Sequence, residues 1–317
     1  MKRRELFQLG VLGLMTFASR FSHAQDLSDF VLGNASQNPG NFHKIYNDPR
    51  LKAEFLLFLT NVYHLYPEQK FHDLISEAVK KFRTDGEIYH YLQEHISGIK
   101  PFLSELTYAL PALSTQKKEI ADQTMVFLGK RKTVTGYLEI GTPGRYIGEL
   151  EDRMTIHEPL YLVNATKPSM GPLDIAERGQ LFPIADYLPL ADYQPVDVKP
   201  ASLEVVTNYI GFHHCPLPKL DAFVNSVSRS LKKGGSLILR DHDVVSPEMN
   251  AIVALAHDVF NAGLMEKWDV NHQELRHFRS LDQWITYLDQ RGLKKSGSSL
   301  YQKGDPTKNA LMEFIKV

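Results

Sequence analysis

Apolar positions change their spacing once along this chain, and the change divides it in two. From Leu51, the residues Leu51, Phe55, Leu59, Val62, Tyr63 and Tyr66 recur at helical spacing, after an Asp48-Pro49 pair suited to an N-cap and a first-turn proline. Pro67 opens a second stripe of Phe71, Leu74, Ile75, Val79 and Phe82. Asp85-Gly86 reads as a break, followed by a third and shorter helix over Ile88, Leu92, His95 and Ile96. Between Ile99 and Phe127 one or two more helices are expected around Pro101 and Pro111. Residues 25–47 read as an irregular entry and 41–128 as an all-helical domain. From Val134 short apolar runs near 135–140, 160–164, 181–184, 203–208 and 235–240 alternate with helical or loop segments, the pattern of a mostly parallel α/β sheet. A helix over Asp282–Arg291 follows. Ser296–Gln302 and Ala310–Val317 then form an expected terminal hairpin around Lys303-Gly304-Asp305-Pro306.

Three pieces of the second half carry chemistry by their order. Tyr137-Leu138-Glu139-Ile140-Gly141-Thr142-Pro143-Gly144 is a strand ending in an acid, then a glycine turn, then a helix start. Such a turn brings backbone N–H groups and a helix N-terminus up to a nucleotide-like ligand. Ser202–Tyr209 is a buried strand running into Gly211-Phe212-His213-His214, and Leu231-Lys232-Lys233-Gly234-Gly235-Ser236-Leu237-Ile238-Leu239 is a glycine turn entering another strand, which ends at Arg240-Asp241-His242-Asp243. In this order the pieces resemble the class I S-adenosylmethionine-dependent methyltransferases over residues 130–317. The resemblance implies a Rossmann-like seven-stranded methyltransferase sheet, here preceded by the all-helical N-terminal domain, and S-adenosylmethionine as cofactor.

It also implies a cofactor cradle of Glu139, Gly141, Thr142 and Gly144. The second strand of such proteins ends in an acid that accepts the ribose hydroxyls; here Asn164 stands in that place and lacks a carboxylate's charge-assisted bonds. Asp186 and Tyr187 fall where the family reads the adenine, and Asn208 closes the fourth strand. After the fourth and fifth strands, His213, His214, Asp241 and His242 are the candidates for a proton acceptor or for acceptor binding. Adjacent side chains point apart along an extended chain, so one of His213 and His214 is expected to face the site. His257, Asp258, His272, Glu274 and His277 lie downstream, but no His-x-x-x-His spacing supports a zinc motif, and no metal is expected. The remainder of this group reads as a polar network with Arg276.

Composition narrows the classes. Lys plus Arg total 36 against 37 acids, a net charge of −1, so no broad basic field points to nucleic acid. One cysteine, Cys215, excludes an intramolecular disulfide and a cysteine-built zinc site, and reads as a packed thiol rather than a nucleophile. Residues 1–24 have a signal layout: Arg3-Arg4, a modest apolar run over Leu9–Ala18, then Ser22-His23-Ala24, too short for a stable membrane span. Export of a folded protein by a twin-arginine route is one expectation and an uncleaved cytoplasmic N-terminal helix the other. The first sits uneasily with a cytoplasmic cofactor. The expected function is methyl transfer from S-adenosylmethionine to a small-molecule acceptor. A non-catalytic exported binding protein on the same fold is the alternative, and a metal-dependent hydrolase is disfavoured by the missing ligand motif. Oligomeric state is not legible.

Overall fold

The computed structural model describes residues 40–100, 110–129, 131–183 and 185–317. The signal-like residues 1–24 lie outside them. Numbered in chain order, the helices are α1 (Asn41–Tyr46), α2 (Pro49–Phe58), α3 (Glu68–Lys81), α4 (Asp85–Ile99), α5 (Leu110–Leu128), α6 (Ile147–Glu151), α7 (Pro172–Arg178), α8 (Leu217–Ser230), α9 (Pro247–Gly263), α10 (Trp268–Gln273) and α11 (Leu281–Asp289). The strands are β1 (Thr133–Ile140), β2 (Thr155–Asn164), β3 (Asp186–Pro189), β4 (Leu203–Asn208), β5 (Leu231–His242), β6 (Leu293–Tyr301) and β7 (Asn309–Lys316). They form one seven-stranded sheet in the order β3-β2-β1-β4-β5-β7-β6. The first five are parallel, and β7 runs antiparallel between β5 and β6.

Both faces of the sheet are covered, so β1, β4 and β7 are buried at nearly every position rather than at alternate ones. On one face α8 and α11 bury Phe223, Val227, Trp284 and Leu288 against Leu138, Leu239 and Phe314. On the other, α5 and α6 bury Ile120, Leu128, Ile147 and Leu150 against Tyr137, Val205 and Ile238. The Gly234 turn is absorbed into β5: pairing with β4 shifts register between Leu203 and Val205, where Lys232–Gly235 bulge out with Gly234 at φ 78°.

The expected helical stretch 41–128 divides. Helices α1 to α4 share their core with α9, which contributes Ile252, Leu255, Val259 and Phe260, whereas α5 packs on the sheet. Tyrosines fasten this arrangement. The Tyr63 hydroxyl donates to Val259 O (3.1 Å) within α9, Tyr66 to Gly263 O (2.8 Å) at its end and Tyr89 to Glu266 O (2.9 Å) beyond it. Asp48 caps α2 as expected, accepting from Arg50 N and Leu51 N. Asp85-Gly86 does not break the chain but opens α4, because Thr84 and Glu87 form a capping box. The Asp85 carboxylate turns to α1 instead and accepts the Asn41 and Phe42 N–H groups at 2.7 and 3.3 Å.

Candidate active site

The five parallel strands end on one edge, where open α/β sheets place their ligands. There Ile140, the last residue of β1, is paired with Val163 on one side and Asn208 on the other, so Asn164 and Asn208 flank the turn that leaves β1. That turn is held from within. The buried Glu139 carboxylate accepts from the Thr142 hydroxyl and, at 3.5 Å, from Tyr146 N, while Thr142 Oγ1 accepts Gly144 N (3.2 Å) and Arg145 N (3.1 Å). Gly141 N–H goes to Val163 O at 2.7 Å. Burial raises the Glu139 carboxyl above its usual range, and the hydrogen bonds from Thr142 and Tyr146 oppose that shift. Gly144 is buried with φ 86°, and a Cβ there would meet only Ile147 Cδ1, at 3.6 Å. Behind it Arg145 and Glu177 form a buried ion pair at 2.9 Å.

Asn164 sits at the end of β2, its Nδ2 donating to Thr166 O at 3.1 Å. Asn208 shapes the turn after β4, donating to Gly211 O (3.2 Å) and accepting Ile210 N (3.2 Å). Asp186 and Tyr187 are not brought to this edge. The strand expected over 181–184 is instead β3, Asp186–Pro189, which Asp186 opens, paired with Tyr161 in mid-β2; Pro189, paired with Asn164, ends it. The acid that follows the strand is Asp192, with φ 54° and an ion pair to Lys219.

The second half of the edge gathers histidines. Asp241, buried at the end of β5, organises the turn after β4: its Oδ1 accepts from His213 Nδ1 at 2.7 Å and from His242 N at 2.8 Å, and its Oδ2 accepts Phe212 N at 3.0 Å. His213 and His214 are both buried, with ring centroids 4.2 Å apart, rather than one inward and one solvated. The chain at this point is a turn closed by Cys215 N–H to Phe212 O (3.0 Å), so neighbouring side chains do not alternate as they would on a strand. His257, from α9, stands with its ring centroid 5.4 Å from that of His213 and 5.5 Å from those of His214 and His242. Phe278 closes the group on one side, 5.0 Å from His213 and 5.2 Å from His257.

Burial sets the charge state of these rings. It pushes His213 down to about 3 and His242 to about 3, and His214 to about 4, with neighbouring cationic groups adding to the effect; His257 lies well below the ordinary value for the same reason. Burial lifts Asp241 to about 6. At neutral pH the arrangement is therefore an Asp241 carboxylate accepting the Nδ1–H of a neutral His213. His213 Nε2 and His257 Nε2 are buried and have no hydrogen-bond partner among the described residues.

The expected network with Arg276 exists. Its guanidinium binds Asp258 Oδ1 (2.7 Å), Glu274 Oε2 (2.8 Å) and Asn271 Oδ1 (2.7 Å). His272 stacks on Trp268, away from the cluster. Cys215 is buried and its thiol is pushed up to about 12, the state of a packed thiol. His257 is the functional candidate that sequence spacing misses. Its one signal is that α9 is apolar nearly all round and buried from Ala251 to Gly263, so a His-Asp pair inside it requires partners.

No family model matches the chain, and no curated protein matches it. Among solved structures it is similar to the 1,6-didemethyltoxoflavin-N1-methyltransferase of Burkholderia thailandensis, at 12% identity and a TM-score of 0.43, over 63% of this chain and 78% of that one. Mitomycin 7-O-methyltransferase aligns at 12% identity and a TM-score of 0.44, over 87% of this chain and 70% of that one. An S-adenosylmethionine-dependent methyltransferase of Thermotoga maritima aligns at 15% and 0.42, over 65% and 91%. By the order and direction of its own seven strands, with β7 reversed between β5 and β6, the chain has the class I S-adenosylmethionine-dependent methyltransferase fold.

Proposed function

We propose that the chain transfers a methyl group from S-adenosylmethionine to a small or medium acceptor carrying an exchangeable proton. The observation that carries this reading is the Glu139-braced glycine turn at the end of β1, flanked by Asn164 and Asn208, with the His213–Asp241 pair after the neighbouring strands β4 and β5. The cradle fits the group. A Cβ on Gly144 would meet only Ile147 Cδ1, so this glycine leaves local room, and the turn's Gly144 and Arg145 N–H groups are held by Thr142 while Tyr146 N–H is held by Glu139. Gly141 to Gly144 would receive the cofactor, with Asn164 and Asn208 on either side. When bound, S-adenosylmethionine supplies a methyl group already activated by a sulfonium charge.

The chain's own part is then positioning and proton handling. His213 Nε2 is a buried lone pair, held in place because Nδ1–H is fixed on Asp241. An imidazole this weakly basic matches a proton lost from an acceptor atom made acidic by the methyl it has just gained. Asp241 stabilises the imidazolium so formed.

Calorimetry of the purified protein with S-adenosylmethionine and S-adenosylhomocysteine tests the reading. Saturable one-site binding is expected, and no heat at millimolar ligand overturns it. Export of a folded form beginning near Gln25 is proposed from residues 3–24 alone, and sequencing the N-terminus of protein fractionated from its host decides it.

A further inference from the structure

We infer that His213, His214 and His257 form a binding site for one divalent transition-metal ion of the zinc, cobalt or nickel class. One potential ligand atom from each of the three side chains lies within 4.8 Å of the other two. Tetrahedral coordination at about 2.0–2.1 Å would place ligand nitrogens about 3.3 Å apart, so modest ring rotations close the site. No short motif announces it, because two of the rings come from the turn after β4 and the third from α9.

Three features separate this group from histidines that are merely packed. The first is the outer set of hydrogen bonds. His213 Nδ1 is taken by Asp241 Oδ1 (2.7 Å), His257 Nδ1 by Val253 O (2.9 Å), and His214 Nδ1 by Leu275 O (3.2 Å) beside Glu274 Oε1 (3.3 Å). A carboxylate or carbonyl on the far nitrogen is how metal-binding imidazoles are oriented and made better donors. The second is the orphaned pair of His213 Nε2 and His257 Nε2, buried and unpartnered among the described residues. Leaving two such acceptors empty costs free energy that an ion would recover. The third is the carboxylate set. Asp241 holds His213, Glu274 lies beside His214, and Asp258 and Glu274 are paired with Arg276.

Three neutral imidazoles select the borderline ions over magnesium or calcium, which want oxygen ligands. Three protein ligands leave a fourth position for water or for an oxygen, nitrogen or sulfur of a small molecule, as in catalytic rather than structural sites; the ion takes the His213 Nε2 lone pair, so the metal-bound form does not use that ring as the proton acceptor. His242 and Phe278 flank the cluster and limit access to it.

The test uses the full chain without cofactor, so its outcome is separate from that of the methyl-transfer reading. Protein stripped with chelator is titrated with cobalt(II), following the visible bands of the bound ion, and bound zinc is measured after equilibrium dialysis. One equivalent per chain, with tetrahedral-type cobalt bands and a higher Tm on zinc addition, is expected. His257→Ala and His214→Asn should each weaken binding by about 100-fold or more, Asp241→Asn by about 10- to 100-fold through His213, and the exposed His95→Ala not at all. Circular dichroism verifies that each variant is folded; should His257→Ala not fold, His257→Gln takes its place. No cobalt or zinc bound by the wild type at tens of micromolar overturns the proposal. So does stoichiometric binding that survives the loss of His257 and His214.

Discussion

Asp241 and His213 meet at 2.7 Å between Oδ1 and Nδ1, and the same carboxylate also holds the backbone N–H groups of Phe212 and His242. One side chain at the end of β5 thus fixes both the path of the turn after β4 and the tautomer of the ring on it. Asp241→Asn keeps one acceptor oxygen but turns an NH2 group toward either the Phe212 N–H or the His213 ring. A buried donor facing a donor costs about 1–3 kcal/mol. Denaturant unfolding should show a loss of that size. Unchanged stability would mean that the two backbone donors find other partners.

Gly211 has φ 82°, and a Cβ on it would lie 2.5 Å from His213 Nδ1 and 2.7 Å from Asp241 Oδ2. An alanine here meets both a left-handed backbone penalty of about 1–2 kcal/mol and a collision with the pair it supports. Gly211→Ala is expected to destabilise by roughly 2–4 kcal/mol in total. Gly144→Ala, with similar φ but only Ile147 Cδ1 nearby, should lose only the backbone part while weakening cofactor binding. Equal losses from the two substitutions would remove the case for Gly211 as the spacer of the Asp241–His213 pair.

Legibility in the sequence followed burial. Strands β1, β4 and β5 are covered on both faces and announce themselves as apolar runs ending in Glu139, Asn208 and Asp241-His242. Strand β3 does not. It is a four-residue edge strand paired on one side, and its exposed acid and proline carry no apolar signal, whereas the more apolar Leu181 and Phe182 before it are exposed. An apolar-run reading therefore places Asp186 after the strand, whereas it opens β3. The histidine cluster was half legible: His213, His214 and His242 follow strands, but His257 reaches them through packing of α9, a contact that no local spacing encodes. The helical boundary misread at Asp85-Gly86 has a similar cause, since a capping box and a breaking turn use the same residues until Glu87 is seen to close it.

The buried histidines imply a pH dependence with a definite sign. His242 is held at about 3 in the folded chain against about 6.5 when unfolded. Between those values the unfolded chain binds a proton that the folded chain refuses, so this residue makes the protein less stable as pH falls, by about 1.4 kcal/mol per unit. His242→Leu loses the contact with Thr307 O (3.0 Å) and is expected to be the less stable form at pH 7.5. Its deficit should shrink by about 1.4 kcal/mol per unit from roughly pH 6 to 4, and the order of stability should reverse in that range. Urea unfolding at four pH values measures this. A constant difference would place His242 at an ordinary value in the folded state.

Asn164 poses opposing effects on one residue. Its Nδ2 donates to Thr166 O at 3.1 Å, so Asn164→Asp replaces a hydrogen bond by a carboxylate facing a carbonyl oxygen. The ligand-free protein should lose about 1–2 kcal/mol of stability from that change alone. If Asn164 faces the ribose, the same carboxylate gains charge-assisted bonds to a diol that the amide cannot match, and binding relieves part of the repulsion present in the free state. Both contributions favour the complex, so S-adenosylhomocysteine should bind several-fold tighter to the variant even as its Tm without ligand falls. Calorimetry and thermal melts on the same preparation separate the two effects. Weaker binding together with the lower Tm would show that Asn164 only shapes the loop to Thr166, and that the ribose is held elsewhere on the edge.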